Sequence, residues 1–119
     1  IVGSVLIQYD GAWVSARPYA APWLNDEESE MVLAGIVTLV LPFLVDEGGA
    51  IAALAEIPAG LPKVTSALEK MGARRCYRYR EAMRYRGQRC DRLGYQYFNT
   101  KTADIFGAPA ISPEIPAER

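Results

Sequence analysis

Histidine is absent from the 119 residues, so the side chain that titrates nearest neutral pH supplies no general acid or base. With two cysteines and no histidine, a zinc site lacks its usual ligands. The chain contains no glycine-rich phosphate loop, G-x-S-x-G elbow, dinucleotide fingerprint or EF-hand loop. Bases are nearly missing from the first half, where Arg17 stands alone against eight acids in residues 1–60. Long apolar runs are missing too. The longest, residues 31–45 (MVLAGIVTLVLPFLV), stops at fifteen, which makes roughly 22 Å of helix against a hydrocarbon core of ~30 Å.

What is present is polarised. Residues 61–119 carry twelve bases and six acids, so halves of −7 and +6 sum to the net −1. Half the residues are hydrophobic and 23% are charged, which describes a folded chain and excludes a disordered one. The length holds one domain with a modest core.

Residues 1–24 read as an N-terminal arm or hairpin, with Asp10-Gly11 supplying the two positive-φ positions of a type I′ turn. The alternative is an extended arm. Pro18 and Pro22 make the following connector irregular. A first residue of Ile1, not Met, is read as the trace of a removed targeting peptide or of a segment missing in front.

A helix follows, capped by Asn25 or Ser29, with acids at 26–30 suiting its positive end and Gly48-Gly49 closing it. Pro42 is expected to kink it. Leu33, Ile36, Val37, Leu39, Val40, Phe43 and Leu44 form its apolar anchor, either as the core of a helical bundle or as a short, kinked membrane span within a complex. A short alanine-rich helix over 50–57 and a long helix from Lys63 towards Arg86 come next, with Gly87 and Gly94 as breaks. Residues 95–98 suit a strand or a helical turn. The expected fold is mainly α: a helical domain over 25–107 and an extended, proline-rich tail over 108–119.

The segment 74–92, RRCYRYREAMRYRGQRCDR, holds eight arginines and three tyrosines. On a helix, Arg74, Arg75, Arg78, Arg86, Arg89 and Arg92 fall within one ~120° sector, while Cys76, Tyr79, Met83 and Cys90 gather on another face. Such a stripe, with Tyr77 and Tyr85, is suited to partner contacts, because arginine is favoured where ion pairs are buried or planar. A sequence pI of about 5.5 argues against a dedicated nucleic-acid binder. Cys76 and Cys90 would lie roughly 21 Å apart on one helix, so two free thiols are expected. The alternative is a two-stranded ribbon, YRYR against RYR, clasped by a disulfide.

These readings converge on a non-enzymatic accessory or structural subunit, with no catalytic or metal-binding residue, docked into a large, membrane-bound organellar (bioenergetic) complex. Its partners would be other protein subunits, with a membrane and, less favoured, nucleic acid beside them. An RNA-associated or ribosomal accessory protein using the same stripe, and a soluble virion component, are the alternatives. The sequence names no cofactor.

Overall fold

The structure, a computed structural model, describes residues 1–99. Two hairpin strands come first, β1 (Gly3–Asp10) and β2 (Trp13–Ala20). Helix α1 (Asp26–Pro42) runs on into a π-helical turn, Phe43–Glu47. Strand β3 (Ala52–Pro58), helix α2 (Pro62–Lys70) and the strands β4 (Arg74–Tyr85) and β5 (Gln88–Phe98) follow. The strands form one sheet in the order β1-β2-β3-β5-β4, in which only β2 and β3 are parallel. The mainly α expectation is therefore wrong. Among the described residues the fold is α/β, with five strands and two α-helices.

Three segments account for the error. Residues 52–58 look helical by composition, yet Ala52, Ala53, Ala55 and Ile57 are all fully buried in a strand paired on both sides. Helix propensity is worth tenths of a kcal/mol per residue and yields to that burial. The helix opened by Pro62 stops after nine residues, where Gly72 takes the left-handed region (φ 91°). What was read as its continuation is the β4–β5 hairpin. Its two-residue turn, Arg86-Gly87, has φ of 52° and 80°, the positive pair of a type I′ turn. In the first hairpin the loop is Gly11-Ala12, one residue beyond the expected pair, and only Gly11 has positive φ.

Register assigns the two faces of the sheet. Val14, Ala53 and Tyr97 align on one face, as do Ala16, Ala55 and Tyr95, then Ile57 and Leu93. Both helices pack there: Leu33, Val37 and Leu41 of α1 and Val64 and Leu68 of α2 complete the core. The opposite face carries Trp13, Arg17, Glu56, Gly94 and Phe98, and no described helix lies over it.

Helix α1 begins with a capping box: Asn25 accepts from the Glu28 N–H at 2.8 Å, and Glu28 accepts from the Asn25 N–H at 3.1 Å. By length and composition alone Asp26–Glu47 could cross a bilayer. In the fold it is the crossover between the parallel strands β2 and β3, with Leu33, Val37 and Leu44 buried, Ile36 and Val40 half-buried, and Leu39 and Phe43 exposed. The seven anchor residues thus do not act as one surface. The tail over 108–119 lies outside the described residues.

Candidate functional site

Parallel strands β2 and β3 pair over only four residues, from Trp13↔Ala52 to Ala16↔Ala55. Beyond that point β2 follows β1 as far as Ala20, while β3 follows β5 as far as Pro58. The strands part at their carboxyl ends, where open α/β sheets receive ligands. The resulting crevice has a volume of about 370 Å³. Its polar groups are Arg17 and Tyr19 from β2, Ser29 from the first turns of α1, Arg84 and Tyr85 from the end of β4, and Arg86 from the turn that follows.

Glu56 anchors the open-face side of this parting. Its carboxylate accepts from the Arg17 guanidinium at 2.8 Å and from the Tyr77 hydroxyl at 2.6 Å, and Arg92 Nε lies 3.7 Å away. Burial alone would push the Glu56 pKa up. The hydrogen bonds from Tyr77 and Arg17 and the two positive charges outweigh burial and hold it below the ordinary carboxylate value. Tyr77 moves the other way: burial first, then the bond to Glu56, raise its pKa and keep the phenol protonated. Arg17 is raised by the same hydrogen bond against the cost of its own burial. Tyr77 also stacks on Tyr79, ring centroids 4.4 Å apart, with the Arg92 guanidinium 5.2 Å from the Tyr79 centroid. The Nε atoms of Arg17 and Arg92 are buried without a hydrogen-bond acceptor, so one carboxylate compensates both guanidinium groups.

On the helix side the crevice is bridged by a hydroxyl pair, Ser29 Oγ and Tyr85 Oη at 2.6 Å. Ser29 is the buried polar residue of α1. Only one of the two protons is needed for their mutual bond, so the other hydroxyl keeps a donor for a third group. Tyr85→Phe leaves the Ser29 hydroxyl with a bond to seek elsewhere, and the expected loss is about 1 kcal/mol in urea unfolding. Ser29→Ala should cost a similar amount, and the double variant little more than either alone.

The arginines read as one stripe are spread over both faces of the hairpin. Arg78 pairs with Asp91 at 2.6 Å, Arg86 with Asp26 at 2.6 Å, and Arg89 donates to the Glu81 carbonyl at 3.1 Å. Arg74 and Arg75 lie opposite Gln96 and Tyr95. Asp91 also accepts from the Glu81 N–H at 2.9 Å, which fixes a bulge between Tyr79 and Met83 and turns the end of β4 over the crevice. The Glu81 N–H and the Arg78 contact hold the Asp91 pKa down. Of the residues singled out in the sequence, the structure brings Tyr77 and Arg92 to Glu56, and Tyr85 and Arg86 to the start of α1. Arg17, Ser29 and Glu56 were missed as site residues. Their signal was isolation: Arg17 is the one base of its half, and Glu56 the one charge between residues 48 and 62. Cys76 and Cys90 are free thiols, each raised in pKa by burial. Among the described residues no cluster of histidine, cysteine and acidic side chains could hold a metal.

No protein-family model matches the chain, and no curated protein sequence does. Solved structures do. A Sphaerobacter thermophilus protein, assigned by name to the acetyltransferases, is 34% identical, aligns with 83% of this chain and 61% of its own length, and has a TM-score of 0.72. A GNAT-family acetyltransferase from Bacillus anthracis aligns at 15% identity over 82% of this chain and 58% of its own, with a TM-score of 0.55. The Microcin C7 self-immunity acetyltransferase MccE, in complex with acetyl-CoA and AMP, aligns at 13% identity over 83% and 55%, with a TM-score of 0.54. The chain spans about three fifths of the length of these structures. They overturn the accessory-subunit reading, its RNA-associated and virion alternatives and the membrane-subunit description with it. The fold is that of the GNAT-like acetyltransferases, and the expectation of a non-enzymatic subunit does not stand against it.

Proposed function

We propose that the chain forms the larger part of an acyltransferase domain, with the crevice between β2 and β3 as the place where the acyl group is handed to a nucleophile. The observation that carries this reading is the 34% identity to the Sphaerobacter thermophilus protein across 83% of the chain. Acyl transfer from a thioester to an amine breaks the acyl C–S bond and forms a C–N bond, and the amine proton leaves with the thiol. The developing charge is on the carbonyl oxygen. The Ser29–Tyr85 pair contributes its spare hydroxyl proton to that oxygen, while Arg17, paired with Glu56 on the open face, braces the parting of β2 from β3. Tyr77 and Glu56 hold Arg17 in place.

Acetyl-CoA, the ligand of MccE, is the donor that this fold suggests. Its phosphates do not fit the start of α1. That position carries Asp26, Glu27 and Glu28, and its Glu28 N–H is already taken by Asn25. No step is assigned to that donor.

The test is thiol release by the full chain from short acyl thioesters, in the presence of a panel of primary amines. Amine-dependent release is expected, reduced about tenfold in Tyr85→Phe through loss of one donor to the oxyanion. Absence of release from every thioester and amine pair would remove the reading.

A further inference from the structure

A β-α-β crossover places the N-terminus of α1 beside the carboxyl end of β2, at the mouth of the crevice. Helix starts in this position suit phosphate, because unpaired N–H groups and the positive end of the dipole point at it. Such sites are built with glycines that let the backbone approach and with bases that share the charge. Here the stretch from Ala20 to Glu30, AAPWLNDEESE, contains neither glycine nor lysine nor arginine, and five of its residues are Asn25 or acids of the first turns. The capping box already occupies the Asn25 and Glu28 N–H groups. The chain's own bases are drawn to these acids: Arg86 from the hairpin tip sits on Asp26 at 2.6 Å, and Lys63 from α2 lies 3.7 Å from Glu27 and donates its backbone N–H to Glu30 at 2.6 Å. Four carboxylates face two bases.

We infer that the acyl donor of this domain is a thioester recognised through its acyl and thiol ends, with no contribution from a nucleotide pyrophosphate. This rests on the acyl-transfer reading and narrows its donor class. The same bonds break and form as in that reading, the released species being the free thiol of the donor.

Two measurements on the full chain test it. The first is equilibrium dialysis with CoA at low salt, which needs no turnover. Weak or undetectable binding at millimolar CoA is expected, with a gain of about tenfold or more in Asp26→Asn/Glu27→Gln/Glu28→Gln, since three charges are removed and glutamine at the third helical position keeps the capping box. The second is kcat/KM for S-acetyl-N-acetylcysteamine against acetyl-CoA. The two values should agree within about threefold, and the acetyl-CoA value should rise with ionic strength as repulsion is screened. Micromolar CoA binding by the wild type, or a preference for acetyl-CoA above about thirtyfold, would overturn the inference and leave acyl transfer standing. If neither thioester is turned over, the acyl-transfer reading falls and this donor assignment falls with it.

Discussion

Glu56→Ala is expected to destabilise the domain by about 3 kcal/mol at neutral pH, measured by urea unfolding. The substitution removes the acceptor of Arg17 and of Tyr77 and the nearest negative charge to Arg92. Both guanidinium groups already bury an Nε without an acceptor, and loss of the carboxylate leaves each with less compensation. The Arg17 side chain is 31% exposed and that of Arg92 22%. Water therefore recovers part of the loss, which sets the cost at the lower end of the range for broken buried pairs. Glu56→Gln retains an acceptor for Tyr77 and should lose roughly half as much. The pH profile carries the same signature. Glu56 is held below the ordinary carboxylate value, so its contribution is complete above the unfolded-state pKa of about 4.3 and is lost as pH falls through the folded value. Tyr77 is raised, so its contribution is complete below about pH 10 and is lost as pH climbs past the unfolded-state pKa. Wild type should show a stability plateau bounded by an acid limb and an alkaline limb. In Glu56→Ala the acid limb flattens. A loss below about 1 kcal/mol would place the cluster among ordinary surface ion pairs.

The parts of this fold that were legible in the sequence are those written in local chemistry. Asn25 and Glu28 announce a helix start because a capping box needs only four consecutive residues. Pro62 likewise opens α2. Strand β3 was illegible because six of its seven residues, AALAEIP, are apolar, so its sequence lacks the polar–apolar alternation that marks a half-exposed strand. Alanine then tips the reading towards helix. Strand β4 misleads for a different reason. The bulge between Tyr79 and Met83 breaks its period of two, and the spacing that remains imitates a helical stripe. Arg86-Gly87 was the overlooked signal: a residue followed by glycine, between tyrosine- and arginine-rich runs that can alternate, is a two-residue hairpin turn. The accessory-subunit reading stood on two helices, one of which is this hairpin.

The site was less legible than the fold. Arg17, Glu56, Tyr77 and Arg92 come from four strands, and their convergence depends on the order β2-β3-β5-β4, which no local pattern encodes. A physical clue existed nonetheless. A single carboxylate inside an apolar run must find a cation or a donor once that run is buried. Glu56 in AALAEIP is such a residue, and Arg17, alone in its acidic half, is the base available to it.

Gly94→Ala should be the most disruptive single-methyl change in the sheet, costing about 3 kcal/mol. Gly94 lies in β5 directly opposite Tyr77, and it is buried. A Cβ at this position would overlap three carbons of the Tyr77 ring. A flexible neighbour would step aside, but Tyr77 is held at both ends: its ring stacks on Tyr79 and its hydroxyl donates to Glu56 at 2.6 Å. Either the ring swings out and the Glu56 bond is lost, or β4 and β5 separate around the bulge that already interrupts their pairing. The rescue experiment discriminates this account from a general intolerance of β5. In a Tyr77→Ala background the clash is gone, and alanine is favoured over glycine within a strand by about 0.5 kcal/mol or more. Gly94→Ala should therefore become neutral or slightly stabilising there. The two substitutions must show a coupling of at least about 2 kcal/mol, and simple additivity would mean that Tyr77 is free to move and that the Glu56 cluster is not fixed by the sheet beneath it.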